Sequence, residues 1–140
     1  MVETSNTENL DFKNSKYATG RRKKSIAKVW LKKGSGKIIV NGKNYEKYFK
    51  RVNHKSELTK PFEIINQATS YDVKCSVKGG GHSGQVGAMI HGISKALLQF
   101  DSALKPALKK EKFTTRASRA VERKKYGHRK ARRSFQFSKR

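Results

Sequence analysis

Between residues 71 and 100 the hydrophobic period changes once. Tyr71, Val73, Cys75 and Val77 alternate with Asp72, Lys74, Ser76 and Lys78, the pattern of a strand with one buried face. Beyond the glycine-rich GGGHSG, the residues Val86, Met89, Ile90, Ile93, Ala96, Leu97 and Phe100 recur at spacings of three and four. That is the stripe of an amphipathic helix. The strand needs a cover for its apolar face and so does the helix, and packing one on the other serves both. Ser83 is the expected N-cap, its hydroxyl accepting from a backbone N–H that the first turn leaves unpaired. Cys75 lies on the apolar side of the strand and reads as a buried structural thiol.

Upstream, Ala27, Val29 and Leu31 alternate with Lys28, Trp30 and Lys32, a second half-buried strand. GSG then turns the chain, and KIIV (37–40) forms a short strand ended by Asn41-Gly42, a strong tight-turn signal. YEKYF reads as a brief helical turn anchored by Tyr45, Tyr48 and Phe49. PFEII, after Pro61, fits a helix opening or an extended run equally well. A shorter helix interrupted by Pro106 holds Leu104 and Leu108. Strands with intervening helices predict an α+β fold: one two-layer domain with a mixed sheet, spanning residues 17–112. Residues 1–16 are polar and aperiodic and read as a flexible N-terminal extension.

From residue 113 the character changes. Arg116 to Arg140 holds 11 Lys and Arg against Glu122 alone, with only Ala117, Ala120, Val121 and Ala131 as aliphatic content. Ordering a residue costs roughly 1–2 kcal/mol of backbone entropy, and this stretch has almost no apolar area to offset it. Residues 113–140 are therefore expected to be an extended basic tail that takes shape on a partner. The whole chain of 140 residues carries 34 Lys and Arg against 10 Asp and Glu, a formal net charge of +24. A polyanion is the implied partner. No apolar run approaches the roughly 18 residues that span a bilayer, and the basic segment lacks an amphipathic face, so no membrane partner is expected. A single cysteine excludes an internal disulfide. The opening residues lack the pattern of a secretory or organellar leader, which leaves the cytoplasm as the expected compartment.

Three segments carry the binding chemistry. In the tail, guanidinium forks pair with phosphate oxygens, and Phe135 and Phe137 can wedge beside a sugar or stack on an unpaired base. Tyr126-Gly127 allows a bend with close backbone approach. In KGGGHSG, the backbone can approach a phosphate at the helix N-terminus, with Lys78 and His82 as further donors. GRRKKS (20–25) is a third cluster, on the flank of the first strand. GSGK (34–37) is not a nucleotide loop, since that pattern needs Gly where Leu31 stands and Ser or Thr where Ile38 stands. The histidines form no tight ligand set, and no paired acids or nucleophile–base arrangement appears. No catalytic residue, metal or cofactor is assigned. A DNA-compacting architectural protein and an RNA-processing enzyme are the rival classes.

GRRKKSIAKVWLKKGSGKIIVNGKNYEKYF, VKGGGHSGQVGAMIHGISKALLQF and VERKKYGHRKARRSFQFSKR together resemble the family of the ninth protein of the bacterial small ribosomal subunit. The resemblance runs from Tyr17 to Arg140, and the closing FQFSKR is its most specific part. It implies a domain with a rare left-handed crossover, binding to small-subunit ribosomal RNA in the head of the particle beside neighbouring head proteins, and no catalysis. It also implies that Ser138, Lys139 and Arg140 reach the peptidyl-site tRNA, Arg140 meeting a backbone phosphate. For ribosomal RNA it implies Arg21, Arg22, Lys23 and Lys24, then the loop Lys78, Gly79, Gly80, Gly81, His82 and Ser83. In the tail the implied contacts are Arg116, Arg119, Arg123, Lys124, Lys125 and Tyr126, followed by Arg129, Lys130, Arg132, Arg133, Phe135 and Phe137. The chain departs from the family pattern in four places. Ile90 stands where Arg is common, Ala117 and Ser118 replace an Asp and a Pro, and His128 replaces a Leu. Residues 1–16 match nothing in it.

Overall fold

The computed structural model describes residues 13–67 and 69–139. Five strands make one mixed sheet in the order β1-β2-β5-β3-β4. They are β1 Lys16–Arg22, β2 Ser25–Lys33, β3 Ile38–Val40, β4 Lys43–Asn44 and β5 Tyr71–Lys78. All neighbours are antiparallel except β3 and β5, which run parallel. Helices α1 Tyr45–Tyr48 and α2 Val52–Ile64 lie in the β3-to-β5 crossover. The long α3, His82–Phe100, packs across β1, β2 and β5, and a 3-10 turn at Ser102–Leu104 leads into α4 Lys105–Lys110. This is an α+β fold around one mixed sheet.

The alternations expected from sequence set the core. Ala27, Val29 and Leu31 of β2 are buried with Tyr71, Val73, Cys75 and Val77 of β5, against Val86, Met89, Ile93, Ala96 and Leu97 of α3. Each large aliphatic side chain buried this way contributes about 1.5–3 kcal/mol. Burial pushes the Cys75 thiol pKa far up, so it stays protonated. The β3–β4 turn is the one expected, with Asn41 and Gly42 both at positive φ.

Strand β1 approaches α3 closely because Gly20 lies against Gly92. A Cβ on Gly20 would stand 1.8 Å from the Ala88 carbonyl oxygen. The same helix then satisfies the outer edge of β1. His91 Nδ1 accepts from the Arg21 N–H at 3.2 Å, Lys95 Nζ donates to the Thr19 carbonyl at 3.0 Å, and Gln99 Nε2 donates to the Tyr17 carbonyl at 2.7 Å. Residues four apart on a helix share a face, and alternate residues of a strand present their groups to the same edge. The two repeats coincide here over three rungs.

Several expectations need correcting. The cluster 20–25 is no flank: Arg21 and Arg22 end β1, which begins at Lys16, and Lys23-Lys24 form the hairpin turn to β2. The N-cap of α3 is Gly81, and Ser83 lies within the first turn, its hydroxyl hydrogen-bonded to His54 Nε2 at 3.1 Å. Pro106 sits in the first turn of α4, where its missing N–H costs little, rather than interrupting a helix. Pro61 lies inside α2, which starts nine residues before it. The buried residues of α2 are His54, Leu58, Pro61 and Phe62.

The loop 34–37 does hold an anion, but the anion is internal. Oδ1 of buried Asp72 accepts from the N–H groups of Ser35, Gly36 and Lys37 at 2.9, 3.0 and 3.0 Å.

Candidate nucleic-acid interface

One end of the molecule gathers the hairpin turn and the glycine loop. Arg22 pairs with Ser25 in register, so Lys23 and Lys24 alone make the turn, with Lys23 at φ 53°. Ser25 is buried, and its hydroxyl donates to the Gly79 carbonyl at 3.0 Å; Gln85 Nε2 donates to the same oxygen at 3.2 Å. Gly79 and Gly80 both have positive φ. A Cβ on Gly79 would lie 2.6 Å from the Lys24 carbonyl oxygen, and one on Gly80 would lie 2.2 Å from Ser25 Oγ. These two glycines let the loop seat on the hairpin. Gly81 faces open space, so it is the glycine that leaves room for an outside group. The first intrahelical bond of α3 runs from the Gln85 N–H to the Gly81 carbonyl at 2.9 Å. The N–H groups of His82, Ser83 and Gly84 thus have no acceptor within the helix. Lys78, His82 and Ser83 are exposed at this end.

The start of α2 adds residues that the sequence reading missed. Arg51, Asn53, His54 and Glu57 line a cavity of about 250 Å³ together with Arg22, Lys23 and Ser83. His54 is buried against Phe49 and tied to Ser83. Its spacing to Leu58, Pro61 and Phe62 is the helical signal that was available, hidden because histidine does not count as apolar.

A larger groove of about 740 Å³ opens beside it, lined by Arg21, Arg22, Ile90, His91, Phe113, Arg116 and Arg119 among others. Arg22 lies over α3, since a Cβ on Gly87 would stand 2.1 Å from its Cδ. His91 joins this wall to the first residues of the tail. Besides accepting from the Arg21 N–H it hydrogen-bonds the Thr114 backbone. Partial burial, reinforced by Lys95 and Arg116, holds its pKa below the ordinary histidine value. A neutral imidazole suits the Arg21 contact, which needs an unprotonated Nδ1. Arg116 closes the joint by donating from Nη2 to the Lys23 carbonyl at 3.3 Å. The structure therefore brings Arg21, Arg22, Arg116 and Arg119 into one basic wall.

Farther along, residues 118–127 are exposed and without helix or strand. Arg123, Lys124 and Tyr126 project into solvent, Tyr126 at 94% exposure. The chain is not uniformly extended, however. Gly127 at φ 72° turns it, His128 and Ser134 form an isolated bridge, and the Arg129 N–H donates to the Arg133 carbonyl at 2.7 Å. Glu122 pairs with Lys125 and with Arg132 Nε at 3.1 Å, which holds its carboxyl below the usual range. The Arg129 guanidinium lies 5.5 Å from the centroid of Phe135. These contacts make a local hook from which Lys130 and Arg133 project. Phe135 and Phe137 are exposed, as are Ser138 and Lys139, while Arg140 lies outside the described residues. Among the described residues no helix is long and apolar enough to cross a membrane.

The model of one protein family, described as ribosomal protein S9/S16, matches residues 20–140. The match takes in the hairpin turn, the glycine loop and the tail together.

Proposed function

The chain belongs to the ribosomal protein S9/S16 family, and from that premise we propose that it sits in the head of the small subunit with its last residues beside the peptidyl-site tRNA. Family membership itself makes the protein a non-catalytic structural constituent of the ribosome that binds ribosomal RNA. The observation that carries the finer reading is the continuity of cations. The glycine loop and hairpin turn lie at one end, the wall of Arg21, Arg22, Arg116 and Arg119 follows, and the tail leads on from it.

Each cation displaces counterions from phosphate, so affinity is spread over many contacts, which position the protein without reading sequence. Lys78 and the residues 79–83 take a phosphate at the start of α3. Arg123 to Lys125 and Arg129 to Arg133 line converging RNA, with Tyr126, Phe135 and Phe137 against sugars or unpaired bases. Ser138, Lys139 and Arg140 donate to tRNA phosphates. We read the parallel β3–β5 connection as the left-handed crossover of the family, and the cytoplasm as the compartment. Neighbouring head proteins complete the surroundings.

Removing Ser138 to Arg140 tests the tail. The protein should still assemble, and small subunits carrying it should bind tRNA in the peptidyl site more weakly in filter binding. Equal retention of tRNA across a salt titration would refute the role. Cosedimentation with small subunits at high salt separates a ribosomal constituent from an architectural protein that acts elsewhere.

A further inference from the structure

Helix α3 covers one face of the sheet, and the other carries a different chemistry. Strand alternation places Tyr17, Thr19 and Arg21 of β1 on that face, with Ile26, Lys28, Trp30 and Lys32 of β2 and Lys74, Ser76 and Lys78 of β5. The register aligns Tyr17, Trp30, Lys74 and Ile39 in one row across four strands, with Thr19, Lys28 and Ser76 in the next. Tyr17 and Trp30 are in ring contact at 5.3 Å, tilted by 48°, and Lys74 Nζ lies 5.9 Å from the Trp30 ring centroid. Tyr17 and Ile26 are 44% and 41% exposed. The one acid that alternation puts on this side, Asp72, is buried and spent on the loop 34–37.

An aromatic pair on an open sheet, set among five Lys and Arg with no exposed acid among the described residues of β1, β2 and β5, is complementary to a polyanion that also offers flat apolar rings. An acidic protein surface would meet the charge but not the rings. We propose that this open face binds unpaired RNA nucleotides, a base stacking on the Tyr17–Trp30 pair while Lys28 and Lys74 take the flanking phosphates. Lys74 is poised for both states, over the indole when the face is empty and on phosphate when a base arrives. Duplex RNA keeps its bases stacked inside and cannot use the rings. The inference rests on the ribosomal reading only for the identity of the polyanion, and its central row of Tyr17, Trp30 and Lys74 includes no residue of the hairpin turn, the glycine loop or the tail.

Trp30 is the only tryptophan, so its emission reports this face alone. The full chain is titrated with a labelled unpaired RNA of about ten nucleotides, with an RNA duplex of equal phosphate content, and with oligoglutamate. Label anisotropy follows total RNA binding, and Trp30 emission follows the sheet. Unpaired RNA should quench Trp30 several-fold more than duplex at equal occupancy. Tyr17→Leu and Lys74→Ala, both surface changes, should each raise the midpoint of quenching by roughly fivefold, with circular dichroism confirming the fold. RNA binding by anisotropy without any change at Trp30 overturns this inference and leaves the RNA reading standing. Loss of binding in both readouts overturns both. Equal quenching by duplex rules out stacking, and quenching by oligoglutamate alone assigns the face to an acidic protein.

Discussion

Asp72 occupies the place that a phosphate takes in a glycine loop. Three backbone N–H groups converge on its Oδ1, and Gly34 must lack a side chain because a Cβ there would lie 2.1 Å from Oδ2. Asp72→Ala strands those donors. It should destabilise the protein by about 3 kcal/mol, read from urea midpoints, and Asp72→Asn by less because the amide oxygen still accepts. An unchanged Asp72→Ala midpoint would mean that the loop folds without its anion. The sequence was enough to reject GSGK as a nucleotide site, on Leu31 and Ile38. It could not show where the loop's donors go, because their acceptor is 35 to 37 residues away. Distance in the chain hid a further relation. Ile90, Ala117 and Ser118, three of the departures from the family pattern, all line the groove between α3 and the first tail residues.

Strands and helices were legible where large aliphatic residues mark the buried face, as in β2, β5 and α3. Strand β1 escaped notice because its inward residues are Ala18 and Gly20, which carry almost no hydrophobic signal. They are small because α3 comes so close. Gly20→Ala should therefore cost roughly 2–3 kcal/mol, since the new methyl meets backbone that cannot move aside. Thermal denaturation would show the loss, and a wild-type midpoint would mean that β1 and α3 separate easily. Helix α2 stayed ambiguous for a different reason. Pro61 sits within it, and one of its buried positions is His54. Crossover handedness leaves no periodic trace at all, because hydrophobic period reports faces and not chirality.

For the molecule as a whole, charge governs what can be measured. Residues 120–140 contain nine of the 34 Lys and Arg. If each meets a phosphate, deleting them should flatten the logarithmic salt dependence of ribosomal RNA binding by about 6 to 8. A potassium chloride series with wild-type and shortened protein tests this, and parallel slopes would remove the tail from the interface. Within the basic tail the chain makes a local hook around Gly127, held by its one acid, Glu122. That acid was visible in the sequence; its pairing with Arg132, ten residues on, was not. The rungs that His91, Lys95 and Gln99 lay along β1 reach beyond this one strand. With that margin occupied and the opposite margin only two residues long at β4, a foreign strand finds little to zip onto. A newly made copy awaiting its RNA is thereby shielded from fibril-like self-association along its sheet margins.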